Sequence, residues 1–132
     1  MSVLLSIKPK YVKEIENGSK MYEFRKSIFK KEINEILVYA SAPVKKIVGK
    51  IYIENVIEAT PQYLWAKCKQ YAGINEKDFF EYFNGKSKGY AIKIKKYEIF
   101  NKPINPYKEN SNFTAPQSFA YLANVLPKLS YI

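Results

Sequence analysis

The densest group of side chains that could do chemistry lies between Asn17 and Arg25. Gly18 follows a short amphipathic helical pattern, and glycine often occupies the left-handed position just past a helix end. The chain beyond this corner is predicted to be extended, and it carries Lys20, Glu23 and Arg25 close together. Such a group indicates either a polar site at the mouth of a β-structure or a surface ion pair worth at most ~1 kcal/mol.

The spacing of these groups bears on what Lys20 could do. Side chains of an extended segment alternate between two faces, which puts Glu23 and Arg25 on one face and Lys20 on the other. A carboxylate two residues before a guanidinium can pair with it directly. A carboxylate beside Lys20 would also stabilise its cation, which suits binding a phosphate or a carbonyl oxygen. To act as a base, Lys20 would need burial strong enough to lower its pKa against the effect of Glu23.

The composition restricts the chemistry that the rest of the chain could supply. There is no His, and Cys68 is the single Cys. These counts exclude a disulfide within the chain, His-based catalysis and the usual Cys and His zinc sites. Catalysis would have to come from Lys, Arg, Tyr, Ser, Thr, Asp or Glu, and neither a cofactor nor a metal is expected.

The charge of the chain favours a polyanionic partner. Twenty-two Lys and Arg against twelve Asp and Glu give a formal net charge of +10, and a field of this sign attracts nucleic acid. Twelve Tyr accompany the lysines, and unpaired bases stack on aromatic rings, although most of these rings are expected to pack in the core. The Gly- and Lys-rich loop at 84–89 lacks P-loop spacing but suits a phosphate backbone. The outer lysines expected to contact phosphates are Lys86, Lys88, Lys93 and Lys95.

The length and hydropathy of the chain predict one self-contained domain over residues 1–132. Hydrophobic residues make up 47% of the sequence, which is too apolar for a disordered chain and enough for a real core. The apolar run at the N-terminus is too short for a signal peptide, and no stretch approaches the ~20 apolar residues of a membrane span. We expect a soluble, cytoplasmic protein. The sequence does not indicate its oligomeric state.

The elements that must position the central stretch are strands and one short helix in the first half of the chain. Val3 to Ile7 is predicted to be a strand, and Pro9 suits the first turn of the helix that follows it. The apolar run Ile36 to Ser41 is typical of a strand buried on both faces. Lys46 to Glu58 alternates as a longer strand, and Gly49 marks a bulge or a bend within it.

The second half is predicted to contain three helices and two strands. Thr60 and Asn75 are the expected N-caps of the first two helices, which end near Gly73 and Gly85. An aromatic stripe on the second helix is assigned to packing, and period-two alternation resumes in the strand from Tyr90 to Phe100. The remaining predictions are breaks at Pro103 and Pro106, a helix at 115–124 with Ser118 in its first turn, and a short strand at 128–132.

This order of elements predicts an α+β domain. The sequence also resembles the ASCH domain family, a branch of the PUA-like superfamily. The resemblance rests on residues 5–9, 17–25, 39–43 and 48–50, and more loosely on 89–92 and 115–119. It implies a small mixed β-barrel with flanking helices and a cleft that holds nucleic acid. The cleft residues implied are Ser6, Lys8, Lys20, Arg25 and Ser118.

Some proteins in this family act on RNA or on modified nucleosides. One branch hydrolyses N4-acetylcytidine with the lysine of a Gly-x-Lys motif, a threonine three residues later and a downstream glutamate. Lys20 matches the lysine, but Glu23 stands where the threonine would be, so that nucleophile is absent. Glu54 and Glu58 are candidates for the glutamate, although alternation points both away from the apolar face of their strand.

Three hypotheses therefore follow. The first is an RNA-binding module that uses the basic cleft and the outer lysines. The second is a hydrolase acting on RNA or a modified nucleoside, with Lys20 and Glu23 catalytic and Tyr39 or Ser118 handling a second proton. The third is a sensor that binds a nucleoside or nucleotide in the same cleft without turnover.

Overall fold

The structure is a computed structural model and describes residues 1–129. In the first half, a strand enters a short helix at Pro9, and the chain turns at Gly18, where φ is +85°. A glycine tolerates this left-handed conformation without steric cost. The elements of this half are β1 (Ser2–Ile7), α1 (Pro9–Glu16), β2 (Tyr22–Arg25), β3 (Glu35–Ala40) and β4 (Lys46–Ala59).

The second half begins with two capped helices. The Thr60 hydroxyl accepts a hydrogen bond from the Tyr63 amide, and the Asn75 side chain accepts one from the Asp78 amide. Both predicted N-caps are thus confirmed. A 3₁₀ helix at Lys69–Tyr71 joins the two helices, and another lies at Pro127–Leu129. The remaining elements are α2 (Pro61–Cys68), α3 (Glu76–Tyr82), β5 (Gly89–Ile104), α4 (Pro106–Glu109), β6 (Phe119–Tyr121) and α5 (Leu122–Val125).

The six strands form one mixed sheet in the order β2-β5-β4-β3-β1-β6, in which β1 and β3 run parallel and the other pairs run antiparallel. The sheet curves into a half-barrel, which confirms the α+β, PUA-like prediction. The pairing register shifts next to Gly49 on both sides of β4, as the predicted bulge requires. Bulges bend a strand and so help the sheet to curve.

Apolar side chains form three clusters around the sheet. The first lies inside the curve and includes Val3 and Leu5 of β1 with Val12 of α1. The second covers the outer face of β1 and β3 with the C-terminal segment. The third packs α2 and α3 against β2 and β5 through the predicted aromatic stripe, in which Phe79 lies edge-on to Phe24.

The prediction of a helix at 115–124 was wrong. Residues Phe119–Tyr121 form β6, and only Leu122–Val125 are helical. β6 pairs antiparallel with β1, so the free backbone edge of β1 supplies hydrogen bonds that the local sequence does not reveal. As a result, Ser118 lies just before a strand and does not project from the first turn of a helix.

Two smaller predictions also differ from the structure. β5 continues through Pro103 to Ile104, whereas a break was expected there. Pro103 lies in an irregular stretch of the β4–β5 pairing, between the Ile47–Ile104 and Gly49–Ile99 pairs, and β2 pairs only with residues 90–93. Proline is tolerated at such irregular positions of a sheet because no regular ladder hydrogen bond is lost there. The short strand predicted at 128–132 is a 3₁₀ helix at Lys128 and Leu129, and its last three residues lie outside the described part of the chain. In residues 1–129, no helix is long and apolar enough to cross a membrane.

Candidate functional site

The backbone around Lys20 departs from the strand geometry that the sequence predicted. The Lys20 amide donates to the Glu14 carbonyl, and the Met21 amide donates to the Tyr71 carbonyl. Lys20 forms an isolated bridge with Ala72, and β2 begins only at Tyr22. Strict alternation therefore does not apply between Lys20 and Glu23, and their side chains lie on the same side.

The three charged side chains converge on one cavity of about 490 Å³. β1 and the start of α1 form one wall, β2 forms the floor and α3 forms the opposite wall. The cavity is lined by Ser6, Ile7, Lys8, Lys10, Tyr11, Lys20, Glu23, Phe24, Arg25, Ile74, Asp78, Glu81, Tyr82 and Gln117.

The charges on the floor are buried and unequally paired. Lys20, Glu23 and Arg25 expose 4%, 6% and 8% of their surface, so water screens them weakly. Glu23 Oε2 lies 2.8 Å from Arg25 NH2, whereas Glu23 Oε1 lies 3.9 Å from Lys20 Nζ. The carboxylate is therefore hydrogen-bonded to the guanidinium and only loosely associated with the ammonium.

Arg25 also connects two edges of the curved sheet. Its NH2 group donates to the Ser6 carbonyl of β1 at 2.8 Å, and its NH1 group contacts the Ser118 carbonyl at 3.4 Å. The Ser6 hydroxyl donates to the Pro116 carbonyl at 2.7 Å and holds the same segment over the cavity. These contacts place the two sides of the cavity at a fixed separation.

Burial and the contacts of Lys20 act on its charge in opposite directions. Its ammonium nitrogen donates to the Ala72 carbonyl at 2.8 Å and lies 4.9 Å and 5.3 Å from the ring centres of Phe24 and Tyr11. Burial lowers the pKa of Lys20, an effect that Glu23 opposes and Arg25 reinforces. Burial thus outweighs the carboxylate, as a role of Lys20 as a base requires.

Two lysines lie over aromatic rings that line the cavity. Lys10 Nζ is 4.9 Å from the ring centre of Tyr11 on α1, and Lys26 Nζ is 4.7 Å from that of Tyr82 on α3. Burial raises the pKa of Tyr82, so its hydroxyl remains protonated at neutral pH. An entering ligand would meet a cation and an aromatic face on both sides.

The predicted cleft residues come together here, and the outer lysines lie elsewhere. Ser6, Lys8, Lys20, Glu23 and Arg25 all line the cavity. Ser118 lies at its edge, where its hydroxyl contacts the Ser27 hydroxyl at 3.3 Å. The predicted phosphate contacts outside the cavity lining are Lys86, Lys88, Lys93 and Lys95.

The carboxylates considered as catalytic partners are engaged in surface ion pairs. Glu54 pairs with Lys93 at 2.8 Å, and Glu58 pairs with Lys88 at 3.1 Å. Tyr39 belongs to the apolar cluster on the outer face of the sheet, and its hydroxyl contacts the Tyr107 hydroxyl at 3.0 Å. None of Tyr39, Glu54 and Glu58 lines the cavity.

Sequence reasoning missed the residues that α3 and α1 contribute. Tyr11 of α1 and Asp78 of α3 line the cavity, and neither was among the predicted site residues. Glu81, Tyr82 and Gln117 carry no motif that marks them, because the elements that bear them meet β2 only in the folded chain. Among residues 1–129, no group of three or more Asp, Glu or Cys is placed to hold a metal ion.

The chain is similar to a ribonuclease of known structure. It is 32% identical over 123 residues to the "ASCH domain-containing ribonuclease" of Zymomonas mobilis, a match that covers 90% of this chain and 82% of that protein. The crystal structure of ASCH from Zymomonas mobilis superposes with a TM-score of 0.85 at 28% identity, covering 97% of this chain and 94% of that one. A tyrosine-to-phenylalanine variant of the Zymomonas protein gives a TM-score of 0.87 at 26% identity, covering 98% and 96%.

A second similarity covers only part of a longer protein. The chain is 27% identical over 122 residues to the large ribosomal subunit protein uL22 of Ureaplasma parvum, which is 92% of this chain but 39% of that protein. No family model matches the chain. The identity to the Zymomonas ribonuclease and its near-complete coverage nevertheless show that this chain belongs to the ASCH domain family.

Proposed function

We propose that this chain binds RNA at the cavity and cleaves it. The observation that carries the proposal is the buried Lys20 amine on the cavity floor, whose pKa is lowered by burial. A lysine with a lowered pKa is neutral, and therefore able to accept a proton, at a lower pH than an ordinary lysine. The Zymomonas relative is named a ribonuclease, which supports the same activity here.

The RNA would enter between the two walls of the cavity. Lys8 and Lys10 on one side and Lys26 on the other would contact phosphates, while the rings of Tyr11 and Tyr82 would stack on unpaired bases. Arg25 adds a positive charge to the floor. The outer lysines at 86, 88, 93 and 95 remain proposed contacts to more distant phosphates, although two of them already pair with carboxylates.

Cleavage without a metal requires one proton acceptor and one donor. A neutral Lys20 would take the proton from a ribose 2′-hydroxyl, whose oxygen would then attack the adjacent phosphorus and expel the 5′-oxygen. Arg25 would stabilise the negative charge that develops on the phosphate. The Tyr82 hydroxyl, which keeps its proton at neutral pH, would supply the proton to the leaving oxygen.

The test compares the cleavage of a fluorescent single-stranded RNA by the wild type, Lys20→Ala and a matched control, Lys67→Ala. Lys67 lies exposed on α2, away from the cavity lining. We expect Lys20→Ala to reduce kcat/KM by about 10²- to 10⁴-fold, in line with the removal of a general base, and Lys67→Ala to leave it unchanged. Equal rates for all three proteins, or no cleavage by the wild type, would contradict the proposal.

A ligand-binding role without turnover is a second candidate, because the cavity has room for a single nucleoside. Its volume of about 490 Å³ combines aromatic walls with buried charges, as small-molecule sites do. Calorimetric titration with nucleosides and nucleotides would test this role. Saturable binding that changes little with salt, together with no RNA cleavage, would favour it over the ribonuclease.

A further inference from the structure

Lys20 carries an amine whose nearest carboxylate is already engaged by another cation. Glu23 is hydrogen-bonded to Arg25 at 2.8 Å, and the 3.9 Å that separates Glu23 from Lys20 is too long for a hydrogen bond. The Lys20 side chain is only 3% exposed, so little water can hydrate a charge on its nitrogen, and the Phe24 and Tyr11 rings close over it. These surroundings favour a neutral amine, which is both a base and a nucleophile.

The position of that amine is fixed by its surroundings. One N–H of Lys20 is used by the Ala72 carbonyl at 2.8 Å. A neutral amine then retains its lone pair and a second N–H for a group in the cavity. Gly73 packs directly against the aliphatic part of Lys20, so the side chain has no room to withdraw on that side. The amine is thus held where an electrophile that enters the cavity would meet it.

We propose that Lys20 captures nucleic-acid strands that carry an aldehyde, as abasic sites do when their sugar ring opens at C1′. This inference rests on the proposed function, because the strand must enter the same cavity. Lys8 and Lys10, which line the cavity, would contact the phosphates that flank such a sugar. A sugar without its base also fits easily within about 490 Å³.

The capture needs no oxidant, reductant or metal. The Lys20 nitrogen attacks the C1′ carbon, and the carbonyl oxygen takes up the protons that the nitrogen loses. The oxygen then leaves as one molecule of water, and a C=N double bond remains. Addition of water reverses the step and restores both the aldehyde and the amine.

Reduction with sodium cyanoborohydride converts this imine into a stable secondary amine, so the full chain can be tested by trapping. A fluorescent single-stranded oligonucleotide with one abasic site is incubated with the wild type, Lys20→Gln and Lys67→Gln at pH 7. We expect a covalent adduct with the wild type and Lys67→Gln, and an adduct yield at least about tenfold lower with Lys20→Gln. Mass spectrometry of the wild-type adduct should locate the modification on Lys20, which tests the assignment even if Lys20→Gln folds poorly.

One further arm separates the sources of the aldehyde. Ribose 5-phosphate has the same aldehyde beside a single phosphate. We expect its adduct to form at least about tenfold more slowly, because one phosphate pairs with fewer of the lysines that line the cavity. An equal rate would overturn the assignment to nucleic acid. A modification spread over the N-terminus and other lysines, or no adduct at all, would overturn the role of Lys20.

The failure of this inference differs from the failure of the proposed function. If intact RNA is bound and cleaved but no adduct forms on Lys20, the capture of aldehydes is refuted while the ribonuclease stands. If the protein neither binds intact RNA nor forms an adduct, both are refuted.

Discussion

At the scale of single residues, the lowered pKa of Lys20 has a direction that kinetics can detect. The fraction of neutral amine rises with pH through a pKa below the ordinary lysine value of 10.5. RNA cleavage by the wild type should therefore increase with pH on an ascending limb whose midpoint lies below 10.5. A pH profile of kcat/KM measures this midpoint, and a flat profile in the wild type would contradict the role of Lys20 as proton acceptor.

The same shift contributes to stability with a defined sign. Between the lowered pKa and 10.5, the unfolded chain holds a proton on Lys20 that the folded chain lacks. The contribution of this residue to the free energy of unfolding therefore increases with pH across that window and is least favourable below it. Replacing Lys20 with Met should remove this component of the pH dependence measured by urea unfolding.

Gly73 offers a second prediction at this scale. A Cβ at this position would lie 2.6 Å from Lys20 Cγ and 2.9 Å from Lys20 Cδ, at a φ of +64°. Gly73→Ala should displace Lys20 and reduce RNA cleavage by about tenfold or more, because a misplaced catalytic group loses its alignment. Gly18→Ala is the matched control, since Gly18 has a φ of +85° but nothing within 4 Å of its Cβ position.

Both glycine variants should lose about 1–2 kcal/mol of stability from the left-handed backbone alone. The loss measured by urea unfolding should be larger for Gly73→Ala, and RNA cleavage should fall only in that variant. Equal effects of the two substitutions on cleavage would show that Gly73 does not position Lys20.

The sequence identified the charged residues of the site but not their pairing. The type and spacing of Lys20, Glu23 and Arg25 were compatible with a polar site or with a surface ion pair, and the resemblance to the ASCH family favoured the site. All three residues line one cavity. Whether Lys20 is a cation or a base depends on burial by Phe24, Tyr11 and the 71–73 segment, which lies about fifty residues away in the chain. No local pattern reports such burial.

At the scale of elements, β6 connects the basic loop at 26–34 to the sheet. The Tyr121 hydroxyl accepts hydrogen bonds from the amides of Lys30 and Lys31 at 3.1 and 3.3 Å. Lys31 also lies over the Tyr121 ring at 4.7 Å. A single side chain of β6 therefore holds two backbone groups of the loop from which Lys26 extends over the Tyr82 ring.

Tyr121→Phe should free this loop without disturbing the strand. It removes two hydrogen bonds to partly exposed amides, for which we expect a loss of about 0.5–1.5 kcal/mol each at most. Hydrogen exchange at Lys30 and Lys31 should accelerate, while exchange in β1 should not change. Unaltered exchange at the two amides would show that the loop is held by other contacts.

The elements that the sequence predicted correctly are those with strong local signals. The two capped helices and the buried strand β3 carry caps, glycines and apolar runs that need no distant partner. β6 is short, and its alternating Phe119 and Tyr121 are compatible with either a helix or a strand. Pairing with the free edge of β1 favours the strand, and such a long-range pairing cannot be inferred from a ten-residue window of sequence.

At the scale of the whole molecule, a net charge of +10 predicts RNA binding that weakens steeply with salt. Each neutralised phosphate on a single strand contributes about 0.7 to the slope of log affinity against log salt. Lys10→Gln should reduce this slope by about 0.7, whereas Lys67→Gln, with the same change in net charge, should not alter it. Fluorescence anisotropy of a labelled single-stranded RNA at several salt concentrations gives these slopes.

The same measurement decides the role of the outer lysines. Lys86→Gln should lower the slope only if bound RNA extends from the cavity to the loop at 84–89. Equal slopes for the wild type, Lys10→Gln and Lys86→Gln would mean that the phosphates of the RNA lie on neither surface, and would contradict the proposed path of the strand.

Arg25 couples the cavity to the two ends of the sheet. The same guanidinium holds Glu23, carries positive charge on the cavity floor and ties β2 to the carbonyls of Ser6 and Ser118 across the opening of the half-barrel. An anion that attracts the guanidinium would lengthen its hydrogen bonds to the Ser6 and Ser118 carbonyls. Ligand binding would then weaken the contacts that join the two ends of the sheet, so that occupancy of the cavity would be coupled to the stability of the sheet through Arg25.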